Sequence, residues 1–475
     1  MSINLNATNC VAKPLSFIHL ILLLSLMQKN NVKIMTVSAV VIVICLLASW
    51  QYTSVDGDSD DSQPFAEGLV GGDVAAAYEL LAPELKAEYE PLGGAEYFGV
   101  LLSTLQYSTE LQYGPYVSIG ETYSPESGIS CTPMTYTYSG ALVWTHTGDE
   151  GVDAFYITPR ELPNGNAVPE GIVETSVQVG ADDMKALDGV IASSEGSDHS
   201  VAALLVSGSG PQGMDCAFGE NRIFQQIAWG LAQQGVDVLR YDDRTYAYPW
   251  DSVELGNHLD IGYGTVDDAV SAAALLKGMG YEKVVLIGHS LGGMMAPAIV
   301  QESDGLYDGM VSMAGSPRSL AEISYDQNML LIEAMPDGEL KDQSIQYVEA
   351  QLALAGSLDS MTEEQLLTTT VFGMSAYYLK SIDDYAVADI ALALDIPMLF
   401  IQGMSDWQVS YERDHGAWMD ILDGKENVRG VMYAGLNHLF CSPGQYDGDS
   451  SDYYLTQITV NPTVIDDLAG FVLSV

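Results

Sequence analysis

Positive charge is scarce in this chain. Of its 475 residues, 17 are Lys or Arg and 64 are Asp or Glu, a formal net charge of −47. So little basic surface does not neutralise a run of phosphates, which excludes nucleic acid as a partner and argues against docking on an anionic lipid surface. The balance suits a salty medium or an extracellular setting. Cysteine is scarcer still. Cys10, Cys45, Cys131, Cys216 and Cys441 contain no C-x-x-C pair, so their spacing offers no zinc site. Cys216 and Cys441 either pair as a disulfide or stay as isolated buried thiols. Internal repeats are absent. Disorder is excluded as well, because the chain is 48% hydrophobic and holds 27 Tyr.

Acid is missing altogether from the first 55 residues. Lys13, Lys29 and Lys33 lie there, and the first acidic residue is Asp56. A basic start followed by apolar runs is a targeting pattern. The run from Leu15 to Met27 is too short to span a bilayer. The run from Ile34 to Trp50 is marginal for a spanning helix and long for a signal core. Only Leu47-Ala48-Ser49 offers a weak cleavage site, and no small residue precedes Cys45. Residues 1–55 therefore read as an uncleaved membrane anchor, with a cleaved signal as the second reading and Met27 or Met35 as alternative starts. Either way the acidic bulk is expected outside the cell, touching the membrane through this segment only.

Residues 56–64, DGDSDDSQP, read as an acidic linker. From 65 to 165 helices with Gly-Gly and Pro breaks precede Tyr-, Thr- and Val-rich strands, which predicts a small α+β domain. His146, in one of those strands, reads as a surface or packed histidine. A turn-rich connector, Glu161 to Gly171, follows. From 173 to 475 strands alternate with helices, which predicts a doubly wound, mostly parallel α/β sheet. IVETSVQV and LDGVIASS read as edge strands. Residues 318–392 interrupt the alternation with several helices and are a candidate lid. Met374, Tyr377 and Tyr378 within it either pack their helices or share in a substrate pocket.

The stretch VVLIGHSLGG, Val284 to Gly293, is where chemistry concentrates. Four apolar residues read as a buried strand, Gly288-His289-Ser290-Leu291-Gly292 is a G-x-S-x-G pattern, and MMAPAIVQ continues as helix. So sharp a strand-to-helix turn leaves the central side chain on a tip at the end of the sheet. Ser290 is thus the candidate nucleophile. Its hydroxyl needs a general base, and the base needs an orienting carboxylate. With such an elbow the chain order is serine, acid, histidine. Two histidines follow Ser290. His415 lies in the helical segment ERDHGAWMDIL and reads as surface. His438 sits in a loop after the strand VMYAG and is the expected base. The strand IPMLFIQG runs into Met404-Ser405-Asp406, so Asp406 is the expected orienting acid, with turn capping as its alternative role. One oxyanion donor is the N–H of Leu291. The second should come from Ser207-Gly208-Ser209-Gly210-Pro211, with Ser209 favoured and Gly208 or Gly210 open.

LLVSGSGPQGMD, LRYDDRT, LIGHSLGG and IQGMSDWQVS with GLNHLF, in this order, make residues 173–475 resemble the α/β-hydrolase superfamily. Within it they resemble exported serine-aminopeptidase-like and dienelactone-hydrolase-like hydrolases of bacteria and archaea. FAEGLVGGDVAAAYELL is similar to the small domain often found ahead of them. Such proteins usually read HGSGP followed by DRD in the first loop; here Ser207 replaces the histidine and Gly213-Met214-Asp215 stands in place of DRD, so the contacts of that loop to substrate need not follow the family. Asp242, Asp243 and Arg244 match a strand-end motif read as structural. The expectation is a serine hydrolase that cleaves a small-molecule carboxylic ester through an acyl-enzyme, with no metal or organic cofactor. Amide cleavage and acyl transfer use the same residues and stay open, as does a non-catalytic anchored surface protein that binds through its small domain. The sequence does not set the oligomeric state.

Overall fold

The computed structural model describes residues 61–475 apart from residues 72, 100–101, 103–108, 111–113, 127, 138, 163–164, 181–184, 220 and 443–456. The expected anchor at 1–55 lies outside the described residues, and no described helix is long and apolar enough to cross a membrane.

Three short helices open the described chain: Ser62–Gly71, Val74–Glu79 and Pro83–Tyr89. Asp73 caps the second by accepting the Ala76 N–H at 3.1 Å, and Pro83 opens the third, where a missing N–H does no harm. The first begins at Ser62, inside the stretch read as linker. The Ser62 hydroxyl is buried there against Thr145, at 2.8 Å, and Thr147, at 3.1 Å. An antiparallel sheet follows: β1 Tyr116–Ile119, β2 Tyr123–Glu126, β3 Ile129–Tyr136, β4 Gly140–Gly148 and β5 Gly151–Arg160. Its alternating rows separate cleanly. Met134, Tyr136, Val143, Phe155 and Ile157 meet Phe65, Leu69 and Phe98 in one core. Cys131, Trp144, Ala154 and Tyr156, in the opposite row, turn toward Trp250 of the following domain.

The second sheet contains β6 Ile172–Val179, β7 Leu187–Ser194, β8 Val201–Val206, β11 Asp237–Tyr241, β12 Lys283–His289, β13 Gly309–Met313, β16 Met398–Gly403 and β17 Val428–Tyr433. Two small hairpins interrupt the series, β9 Ala217–Phe218 with β10 Asn221–Arg222, and β14 Thr370–Val371 with β15 Met374–Ser375. The order is β17-β16-β13-β12-β8-β11-β7-β6. From β17 to β11 every neighbour is parallel, and β7 and β6 are antiparallel. β6 is the expected edge. β7 is not: it pairs with β6 on one side and β11 on the other.

Period-two alternation feeds two cores, one per face. Leu204, Leu239, Leu286, Met310 and Phe400 pack under helices Asp267–Met279, Leu291–Glu302 and Val387–Ala393. Leu205, Val238, Ile287, Val311 and Ile401 pack under Ile223–Ala232 and Pro462–Ser474. Cys216 and Cys441 both belong to that second core as free buried thiols, so the disulfide alternative is not realised. Between β13 and β16 the insertion folds as helices Leu320–Glu333, Glu339–Ala355, Glu363–Thr368 and Ala376–Asp383 around a core of its own that includes Ile332, Val348, Leu366 and Leu379. Capping boxes at Ser319/Glu322 and Thr362/Gln365 start two of these helices. Met374 and Tyr377 pack on this core and Tyr378 on the main one.

Candidate active site

Because β8, β12, β16 and β17 run parallel, the loops that leave them gather along one edge of the sheet. Ser290 directly follows β12. Its backbone lies at φ 54, ψ −115, the left-handed side that a residue with a Cβ avoids, and the helix Leu291–Glu302 starts at the next residue. Hydrogen bonds grip the turn on both sides. Ser290 N–H donates to the Met313 carbonyl at 2.8 Å, and Met294 N–H donates to the Ser290 carbonyl at 2.8 Å. A Cβ on Gly292 would sit 2.4 Å from the Ser207 carbonyl oxygen, so only glycine lets the elbow and the loop after β8 touch. On that loop Gly208 backs onto the nucleophile; a Cβ there would lie 3.0 Å from Ser290 Cβ.

His438 and Asp406 are brought together. His438 Nδ1 lies 2.7 Å from Asp406 Oδ2, with both residues buried. A carboxylate only accepts, so Nδ1–H donates and Nε2 keeps its lone pair. Three further donors hold the carboxylate: Gln402 Nε2 at 2.8 Å on Oδ2, and the Gln408 and Val409 N–H groups at 2.8 and 3.0 Å on Oδ1. Asn437 ties the histidine loop down, its Oδ1 accepting from the N–H groups of Leu439 at 3.0 Å and Cys441 at 2.9 Å.

His289 completes this shell. Its Nε2–H donates to the His438 carbonyl at 2.9 Å, and the two rings stand 4.8 Å apart. Burial, then the neighbouring His438, pushes its pKa down to about 3, so the ring is neutral and works as a fixed donor. Sequence reasoning missed Gln402, Asn437 and His289 as supporting residues. A glutamine ending the otherwise apolar strand IPMLFIQG was a visible signal, since a buried amide needs partners.

One cavity of about 190 Å³ joins the parts. Ser290, His438, His289, Leu291 and the loop from Gly208 to Gly213 line it, with Leu320, Ile323, Ser324, Gln327 and Met374 from the insertion. Ser290 Oγ makes no hydrogen bond to a described residue, and neither do the N–H groups of Leu291 and Ser209 find an acceptor among them. The strand-end trio is structural, as read. Asp242 accepts the Met214 N–H at 2.7 Å and Asp243 the Gln212 N–H at 3.2 Å, both in the loop after β8, while Arg244 forms a buried pair with Asp268. His415 differs from its surface reading. It is 5% exposed and packs on Gly430, where burial lowers its pKa. His146 is a packed histidine, fully buried against Trp250 and 2.5 Å from Asp153.

The geometry has relatives. The alpha/beta hydrolase family profile matches residues 203–441, from β8 to the loop that carries His438. Esterase EstD of Thermotoga maritima is 33% identical over 319 residues, 66% of this chain and 71% of that protein. Among solved structures, an esterase of Pyrococcus furiosus is similar with a TM-score of 0.41 and 14% identity, over 67% of this chain and 96% of that one. Est1E from Butyrivibrio proteoclasticus is similar with a TM-score of 0.40 and 14% identity, over 63% and 98%. With half of its length matched by the profile and 33% identity to a relative across 71% of that relative's length, this chain belongs to the alpha/beta hydrolase family and is a hydrolase.

Proposed function

We propose that this hydrolase cleaves carboxylic esters of small molecules through an acyl-enzyme on Ser290. The observation that carries the reading is the hydrogen-bonded His438–Asp406 pair on the wall of the cavity that Ser290 also lines. Ser290 Oγ attacks the ester carbonyl carbon while His438 Nε2 takes its proton. The free serine hydroxyl gives up no other bond to a described residue in turning to the base. Asp406, held by four donors, keeps the imidazole in the Nδ1–H tautomer. The tetrahedral oxyanion accepts from the N–H groups of Leu291 and Ser209, which have no competing acceptor among the described residues. His438 then protonates the departing alcohol. Water, activated by the same ring, attacks the acyl carbon and releases the acid and the free serine. The insertion serves as a lid whose Leu320, Ile323 and Met374 receive the apolar part of the acyl group. The likeness to Esterase EstD favours an ester over an amide.

Covalent labelling with a fluorophosphonate, mapped by mass spectrometry, tests this. The label is expected on Ser290 and absent from Ser290→Ala. Ester hydrolysis should fall by a factor of about 10⁴ or more in Ser290→Ala and in His438→Ala. A Ser290→Ala protein that hydrolyses esters at the parent rate would overturn the assignment.

A further inference from the structure

We propose that Arg160 binds a carboxylate carried by the substrate, so that the preferred esters are small compounds with one free carboxylate. This rests on the reading of Ser290 above and names the substrate class of that same cavity.

The register of β5 sorts its side chains into two rows. Ala154 and Tyr156 belong to the row that faces the hydrolase domain, and the Thr158 hydroxyl stays in that row by accepting the Trp144 indole N–H at 2.9 Å. Arg160 is next in the row, and it lines the cavity with Ser290 and His438. The strand end beside it is fastened to the hydrolase. Glu161 N–H donates to Tyr246 Oη at 3.1 Å, Ala217 N–H donates to Glu161 Oε1 at 3.2 Å, and Arg222 Nη2 donates to the Leu162 carbonyl at 2.8 Å. The cation therefore comes from the small domain but is held in register with the loop after β8.

Acids outnumber bases 64 to 17, so a guanidinium left without a carboxylate is unexpected. Among the described residues, the other basic side chains except Lys283 all bond a carboxylate or a carbonyl. Arg160 and Lys283 do neither. Lys283 starts β12, at the end of the sheet away from the cavity. Glu161, next to Arg160, is committed to Ala217. The charge of Arg160 is also felt at the cavity wall: burial raises the Tyr246 phenol to about 12, and Arg160 opposes that rise. A planar guanidinium matches the two oxygens of a carboxylate. The strongly negative molecule repels a dianion and leaves a single negative charge as what one cation offsets.

The test uses two matched pairs of esters: mono-4-nitrophenyl glutarate against 4-nitrophenyl pentanoate, and 4-carboxyphenyl acetate against phenyl acetate. For at least one pair, the charged-to-neutral ratio of kcat/KM should fall about tenfold or more in Arg160→Gln, mainly through KM. Arg160→Lys should retain an intermediate ratio. The pair that responds tells whether the guanidinium faces the acyl or the alcohol side. Ratios unchanged in both pairs would overturn the proposal. Loss of Ser290 chemistry is read separately, as loss of neutral-ester turnover and of fluorophosphonate labelling. Calorimetry with monomethyl glutarate, which carries one free carboxylate, on Ser290→Ala, with and without Arg160→Gln, reads the site without catalysis. Binding that depends on Arg160 supports the proposal, and equal binding in both proteins overturns it.

Discussion

Ser290 occupies a backbone conformation that its own Cβ opposes, with φ at 54. Such positions cost about 1–3 kcal/mol and persist only where surrounding bonds hold them. Ser290→Ala keeps the Cβ and therefore the strain; Ser290→Gly removes both. The glycine variant should be the more stable by about 1 kcal/mol in urea unfolding, and equal midpoints would show that the turn stores no strain. The shell behind the histidine gives a second prediction. Gln402→Leu removes one donor from Asp406. It should lower kcat about tenfold with KM nearly constant, as expected for a lost hydrogen bond to a charged group; unchanged kcat would reduce Gln402 to packing. The sharp turn at Ser290 and the meeting of His438 with Asp406 were legible because each residue stands just past an apolar strand, in an order that few residues of the right type allow. Gln402 and His289 act through other side chains. Their role depends on which loop folds beside them, and no local pattern records that.

The loops after β8 and β12 behave as one element, since Gly292 and the Ser207 carbonyl leave no room for a methyl between them. Gly292→Ala should destabilise the fold by about 2 kcal/mol or more and lower kcat as well, because Ser207 stands two residues before Ser209, with only Gly208 between them. Thermal unfolding beside ester kinetics would check this, and a stable variant with full kcat would uncouple the two loops. The parallel strands were readable as short apolar runs between helices. The place of β7 in the sheet was not, because its period-two pattern says which face is buried but not how many neighbours it has. His415 was misread for a different reason. Tyr411–His415 is a π-helical turn, which advances fewer degrees per residue than an α-helix and swings the imidazole inward onto Gly430.

At the scale of the whole molecule, two buried groups pull stability in opposite directions with pH. His289 has its pKa lowered to about 3 from an ordinary 6.5. The unfolded chain takes up that proton first, so stability is present above about 6.5 and is lost as pH falls toward 3. Glu161 is the reverse. Burial, then the charge of Asp215, raises it to about 7 from 4.5, while Arg222 pulls it down. Its contribution is complete below about 4.5 and is lost as pH rises through 7. Because Glu161 bonds Ala217 across the junction of the two domains, Glu161→Gln should flatten the change of unfolding midpoint between pH 4.5 and 7. An unaltered slope would mean that the carboxyl titrates as an ordinary acid.

The cavity walls belong to separate hydrophobic cores. The elbow and its base rest on the two faces of the large sheet, Met374 on the core of the insertion, and Arg160 ends a strand of the small domain. Ser290, His438 and the N–H groups of Leu291 and Ser209 therefore rest on cores that substitutions inside the small domain do not touch. On the proposed roles, the taste for a charged substrate and the chemistry are separately heritable: a descendant that exchanged its first 170 residues would inherit the old reaction, the old acyl pocket and a new answer to charge.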